Sequence, residues 1–260
     1  YTTLFRSDWA WRIPFLSSFV LVAIGLYVRL KLTEAPIFIA ALNKPKPKTL
    51  PMMEVIVTHF KPFFLGMLIC IAGYVLFYIM IAFSQIYAKS APTVSEAGYA
   101  MGLGFSPQIF TALLMCSAIS LAITIAISGK YIDIVGRRIW LIWTTFGVAI
   151  FGLALPYFLD NGTTTSLFWF LMIGMGLIGM GYGPLASFLP ELFPTHARYS
   201  GASLTYNISG LFGASVAAII ALPLNANYGL KGVGIYLTLN AVLSLIGLWF
   251  ITETKDKHLA

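Results

Sequence analysis

The side chains able to do proton or ion chemistry are few in this sequence and stand apart from its apolar runs. Charged residues make up 10% of the 260 and hydrophobic ones 59%. An ionisable group inside an apolar helix is a functional candidate by default, because a charge in hydrocarbon is costly. The runs after residue 62 hold almost none. The polar groups left within them are Tyr74, Tyr78, Gln85, Tyr182, Tyr206, Asn207 and Asn240. Their phenols and amides can bond a small polar ligand, or each can bond the backbone of a neighbouring helix. Tyr74 and Tyr78 are four apart, so on a helix they share one face and can point into one cavity together. An organic acid or zwitterion held there would need help from a cation, and none accompanies them at that depth.

Charges gather instead between the runs. Gly129 to Arg138 reads as a glycine-bounded turn carrying Asp133, Gly136, Arg137 and Arg138, and a later turn carries Glu191 and Arg198. Such a set can form charge pairs that hold helix ends together in one conformation and release them in another. Glu191 is placed to pair with Arg137 or Arg138 as a latch; the plainer reading is a solvated rim of weak pairs. Metal and hydrolytic chemistry find no support. His59, His196 and His258 lie in separate loops or the tail without metal-ligand spacing, and no Ser, His, Asp arrangement is evident. Cys70 and Cys116 read as buried apolar residues. No enzyme activity and no metal are expected.

These groups must be positioned by membrane helices. A helix crossing about 30 Å of hydrocarbon needs roughly 20 mostly apolar residues. Seven runs qualify: Ile13 to Leu30, Pro62 to Tyr87, Pro107 to Ser128, Ile139 to Leu159, Ser166 to Pro190, Ser200 to Leu224 and Gly232 to Ile251. The expected class is an all-α integral membrane protein. β-Barrel strands are excluded because the runs are too long and do not alternate. The net charge of +7 is spread between apolar runs rather than on one soluble face, which argues against nucleic acid. Counted on alternate sides, twelve Lys and Arg fall on one face, and only Arg6, Arg12, Lys89 and Lys231 on the other. That bias puts the N-terminus outside and the C-terminus in the cytoplasm. One span is followed by a long basic linker containing Lys44-Pro45-Lys46-Pro47-Lys48, extended and solvated by its prolines and charges, and then by six closely connected spans. In the fifth span, Gly174, Gly176, Gly179, Gly181 and Gly183 crowd before Pro184, allowing close packing and bending.

Gly129 to Arg138 resembles the Gly-x-x-x-Asp-x-x-Gly-Arg-Arg signature of the major facilitator superfamily. The stretch from Pro190 to Ser203 and Trp11-Arg12-Ile13-Pro14-Phe15 resemble the metabolite:proton symporter group within it, whose members carry proline and betaine, shikimate or 2-oxoglutarate. The position after the aspartate, commonly Arg, is Ile134 here, which weakens a latch that relies on a third cation. The resemblance implies that the seven spans are helices 6 to 12 of a twelve-helix carrier. Residues 8–30 would be the last helix of the N-terminal bundle, 31–61 the cytoplasmic linker, 62–251 the C-terminal bundle and 252–260 a cytoplasmic tail. Helices 1 to 5 would then be missing partners. Residues 1–7 resemble a translated sequencing adapter and are expected not to be native. Implied by the same resemblance are a bacterial inner-membrane location, a small organic acid or zwitterion as substrate, alternating access, and a proton as coupling ion with no other cofactor. The alternative is a seven-helix receptor or sensor.

Overall fold

The computed structural model describes residues 12–31 and 51–253, apart from the side chains of Pro14 and Pro51. The seven N-terminal residues, the Lys-Pro repeat of the linker and the far end of the tail lie outside that range. The chain divides into two units, Tyr1–Lys46 and Pro47–Ala260. Among the described residues of the first, helix α1, Ile13–Lys31, exposes an almost wholly apolar surface and ends on Arg29 and Lys31. Basic residues in a last turn complement the helix dipole.

The second unit is a helical bundle. Its elements are α2 (Pro51–Thr58), α3 (Phe60–Lys89), α4 (Pro107–Val135), α5 (Arg137–Leu159), α6 (Thr164–Glu191) and α7 (Arg198–Phe250). The last five are each long and apolar enough to cross a membrane. Among the described residues the only β pairing is an isolated antiparallel bridge, Val94 with Ala100.

α7 contains both the sixth and the seventh expected spans. At Gly229 the backbone takes φ 66 and ψ −170, a conformation open essentially to glycine alone. The chain folds back there: a Cβ on Gly232 would lie 3.2 Å from the Leu224 carbonyl, whereas eight residues of straight helix span about 12 Å. α7 therefore has two arms, 198–228 and 230–250, and the described residues of the second unit run through the bundle six times. The expected loop between Leu224 and Gly232 shrinks to this one glycine.

Two other expectations are corrected. The stretch Lys130 to Val135 is not a turn, because α4 runs helically through it and stops only at Gly136, φ 102. The end of the expected extended linker is helical too, as α2. Proline tolerates a first helical position, and Val55 gives α2 a buried contact with Phe193 and Ala197.

Caps explain where the long helices begin. Ser106 accepts from the Ile109 N–H ahead of α4, and Thr163 accepts from the Ser166 N–H ahead of α6. α7 packs on α5 and α3, while α6 lies between α4 and α5. Its glycines are closely approached: a Cβ on Gly179 would lie 2.6 Å from the Leu121 carbonyl of α4. The main core gathers Val75, Ile79, Phe83, Phe151, Leu155, Phe170, Leu171 and Leu237. Exposed apolar side chains such as Met115, Ile119 and Ile123 on α4 suit lipid rather than water.

Candidate functional site

A narrow cavity opens between α3, α5, α6 and the first arm of α7. It is lined by Cys70, Tyr74, Thr144, Thr145, Tyr182 and Tyr206 among apolar neighbours, with no charged side chain in the lining. The free space is about 50 Å³, enough for a few waters and too little for a metabolite. It forms a wall rather than an enclosed pocket.

Three tyrosines from three helices meet on that wall. The Tyr182 and Tyr206 hydroxyls are 2.8 Å apart, and the Tyr74 and Tyr206 rings lie 5.1 Å apart at 54°. A five-residue π-helical segment, Leu211–Ser215, follows in α7 just where Tyr74 crosses; a Cβ on Gly213 would lie 2.6 Å from the Tyr74 Cβ. Such segments add a residue to a helical turn and re-aim the side chains around them. Pro184 in α6 lacks the N–H that would bond the Met180 carbonyl. The Trp140 indole N–H of α5 supplies that bond at 3.0 Å, so the bend beside Tyr182 is braced.

The other polar candidates are elsewhere. Tyr78 leaves the cavity and donates to the Ala218 carbonyl at 3.4 Å. Asn207 and Asn240 donate to carbonyls of their own helix, Ser203 and Tyr236, at 2.8 Å each. Gln85 lines a shallow recess with Lys89 and Ser90 at the opposite end of the bundle. The four-residue spacing of Tyr74 and Tyr78 did put them on one helix, but 100° per residue leaves neighbours about 40° apart. That angle separates wall from helix interface. Tyr182 and Tyr206, far apart in sequence, are brought together only by the fold.

The charged residues form a cluster at one end. Arg137 pairs with Glu191 at 3.2 Å, both largely buried, and with the exposed Asp133 at 3.4 Å. Arg138 instead reaches the second arm of α7, donating to the Leu248 carbonyl at 2.8 Å and the Trp249 carbonyl at 3.0 Å. Arg198 opens α7 with its Nε buried and without a hydrogen-bond partner. Glu253 was not among the sequence candidates, yet its carboxylate accepts the Arg137 and Arg138 backbone N–H groups at 3.1 and 3.0 Å. α5 starts on Gly136, which has no side chain to cap it, and the missing acceptor was the available signal. Gly136 is required twice over: by its positive φ, and because a Cβ there would lie 2.8 Å from Glu253 Oε2.

Tyr182 precedes Glu191 by nine residues and Tyr206 follows Arg198 by eight. The tyrosine wall thus stands about 12–14 Å along the helices from the ionic cluster. At that same end Glu54 Oε1 lies 2.7 Å from His196 Nε2, with His59 beside them. Spacing along the chain had kept these histidines apart.

The family described as sugar (and other) transporter matches residues 91–260. A Haemophilus influenzae protein named "Putative metabolite transport protein" is 89% identical over 254 residues, which cover 98% of this chain and 57% of that protein. The Escherichia coli inner membrane metabolite transport protein YhjE is 39% identical, over 97% of this chain and 56% of its own length. A proline/betaine transporter of Salmonella typhimurium is 26% identical, over 97% and 50%. The chain spans about half the length of the curated relatives it matches. No solved structure matches it.

Proposed function

The chain belongs to the sugar (and other) transporter family of the major facilitator superfamily, and from that premise we propose that it forms one wall of the substrate path in a proton-coupled carrier of small zwitterionic or acidic metabolites. The observation that carries the reading is the wall of Tyr74, Tyr182 and Tyr206. Family membership sets aside both an enzyme and the receptor alternative.

The chemistry of the wall favours a zwitterion. Phenol faces attract a substituted ammonium through the ring quadrupole, while in a hydroxyl pair one proton stays free to meet a carboxylate. No cation in the lining would neutralise a substrate with only negative charge. The names of the proline/betaine relatives point the same way. The wall is open on one side, as expected where substrate binds between two bundles that rock against each other.

In this account the ionic cluster closes the end nearer the wall. The bias of Lys and Arg assigns that end to the cytoplasm, so the closed cluster corresponds to a carrier open to the outside. The host membrane is the bacterial inner membrane, as in the name of the Escherichia coli relative.

A chimaera tests the reading. This chain is placed behind the N-terminal remainder of the 89% identical relative, and cells producing it are assayed for uptake of labelled proline, betaine, shikimate, 2-oxoglutarate and citrate. The expected result is uptake of a zwitterion, abolished by a protonophore and reduced about tenfold or more by Tyr206→Phe through the lost hydroxyl pair. Uptake confined to di- and tricarboxylates, or insensitive to the protonophore, would overturn it.

A further inference from the structure

Glu54, His59 and His196 come from three segments: the first turn of α2, the break before α3, and the turn joining α6 to α7. One ligand atom from each lies within 4.8 Å of the other two. The His196 Nε2 to Glu54 Oε1 distance is 2.7 Å, and the two imidazole ring centres are 6.4 Å apart. Among the described residues, these three are the only group of His, Cys, Asp or Glu so placed.

We propose that this trio is a binding site for a divalent transition-metal ion of the Zn²⁺ class. Two imidazoles and one carboxylate are ligands suited to zinc, cobalt or nickel, leaving a fourth position for water. Metal bonds of about 2.0–2.2 Å place ligand atoms roughly 3–3.5 Å apart. The three ligand atoms, all within 4.8 Å of one another, approach that spacing.

A second observation points to a cation here. Glu54 Oε2 is buried and has no hydrogen-bond partner. An orphaned buried oxygen of a carboxylate is costly, and a simple Glu54–His196 pair leaves both that oxygen and His59 unused. A metal ion accounts for all three groups. Access is available, because the Glu54 side chain is 16% exposed while that of His196 is 49% exposed. Beneath the trio, Val55, Phe193 and Ala197 form a buried apolar cluster that fixes α2 against the α6–α7 turn. The ligands are therefore positioned by packing.

Bound metal would cross-link α2 to the turn five residues beyond Glu191, tying the segment that leads into the bundle to its ionic end. This does not depend on what is transported. The test is a Zn²⁺ titration of the purified, untagged chain in detergent against a chromophoric chelator, with Co²⁺ absorption as a second readout. One ion per chain with micromolar or tighter affinity is expected, along with tetrahedral Co²⁺ bands. Glu54→Gln, His59→Gln and His196→Gln should each weaken binding about tenfold or more, while His258→Gln leaves it unchanged. Zn²⁺ should raise the unfolding temperature of the parent chain and of His258→Gln only, which separates ligand loss from misfolding. Absence of saturable binding, or equal stoichiometry and affinity in Glu54→Gln and His196→Gln, would overturn the proposal.

Discussion

Gly136 and Gly229 turn the chain at opposite ends of the bundle, both with positive φ, and they are braced by different chemistry. Gly136 lies under a carboxylate: Glu253 caps α5 across it, beside Arg137, Glu191 and the Arg138 bonds to α7. Gly229 lies under the Tyr99 ring, among neutral bonds from Asn225 to the Ala100 carbonyl and from Ser95 to the Ala226 carbonyl. The Arg137–Glu191 pair is largely buried, so its charges regain hydration when that end opens. Neutral bonds beneath a packed loop gain nothing comparable by opening. Under the proposed function the ionic end is the one that parts, and the tyrosine wall stands close to it.

The largest effects should come from the glycines themselves. Gly229→Ala and Gly136→Ala should each destabilise the chain by about 2–4 kcal/mol, read by denaturation in detergent. The comparison sharpens in double variants. Gly136→Ala and Glu253→Gln remove the same cap, so their effects should overlap, whereas Gly229→Ala and Glu253→Gln should add. Equal additivity in both pairs would break the assignment of Glu253 as the brace of Gly136.

Smaller changes separate the two ends by their response to salt. Glu191→Gln leaves the largely buried Arg137 with only the exposed Asp133 as a charged partner and should cost about 1–3 kcal/mol, somewhat less in high salt. Glu253→Gln weakens two charge-assisted bonds and should cost about 1.5–2 kcal/mol. Asn225→Ala should cost about 1 kcal/mol, unchanged by salt.

How far the sequence foretells this arrangement depends on the range of the interaction. Apolar run length locates α3 to α7 because hydrocarbon thickness fixes helix length whatever the neighbours. It misplaces the ends. α4 continues to Val135, since Lys130 and Asp133 are tolerated in a helix leaving the membrane, and Lys231 suggested a loop where a single glycine suffices. The wall was half legible: Tyr74, Tyr182 and Tyr206 could be named, yet nothing local distinguishes Tyr74 from Tyr78, whose hydroxyl bonds a neighbouring helix. Glu253 was invisible because Arg137 lies 116 residues away, and the Glu54, His59 and His196 trio because His196 lies 142 residues from Glu54.

The central claim, that the ionic end guards the tyrosine wall, has a native probe. Cys70 lines the cavity and is buried, whereas Cys116 is exposed. In a Cys116→Ser background, the rate of Cys70 modification by a small maleimide reports how often the cavity opens. Combining Glu191→Gln with Glu253→Gln removes about 2 kcal/mol or more from the closed end, and modification should quicken about tenfold or more, while Asn225→Ala leaves it unchanged. An unaltered rate in the double variant, or an equal rise with Asn225→Ala, would contradict the account.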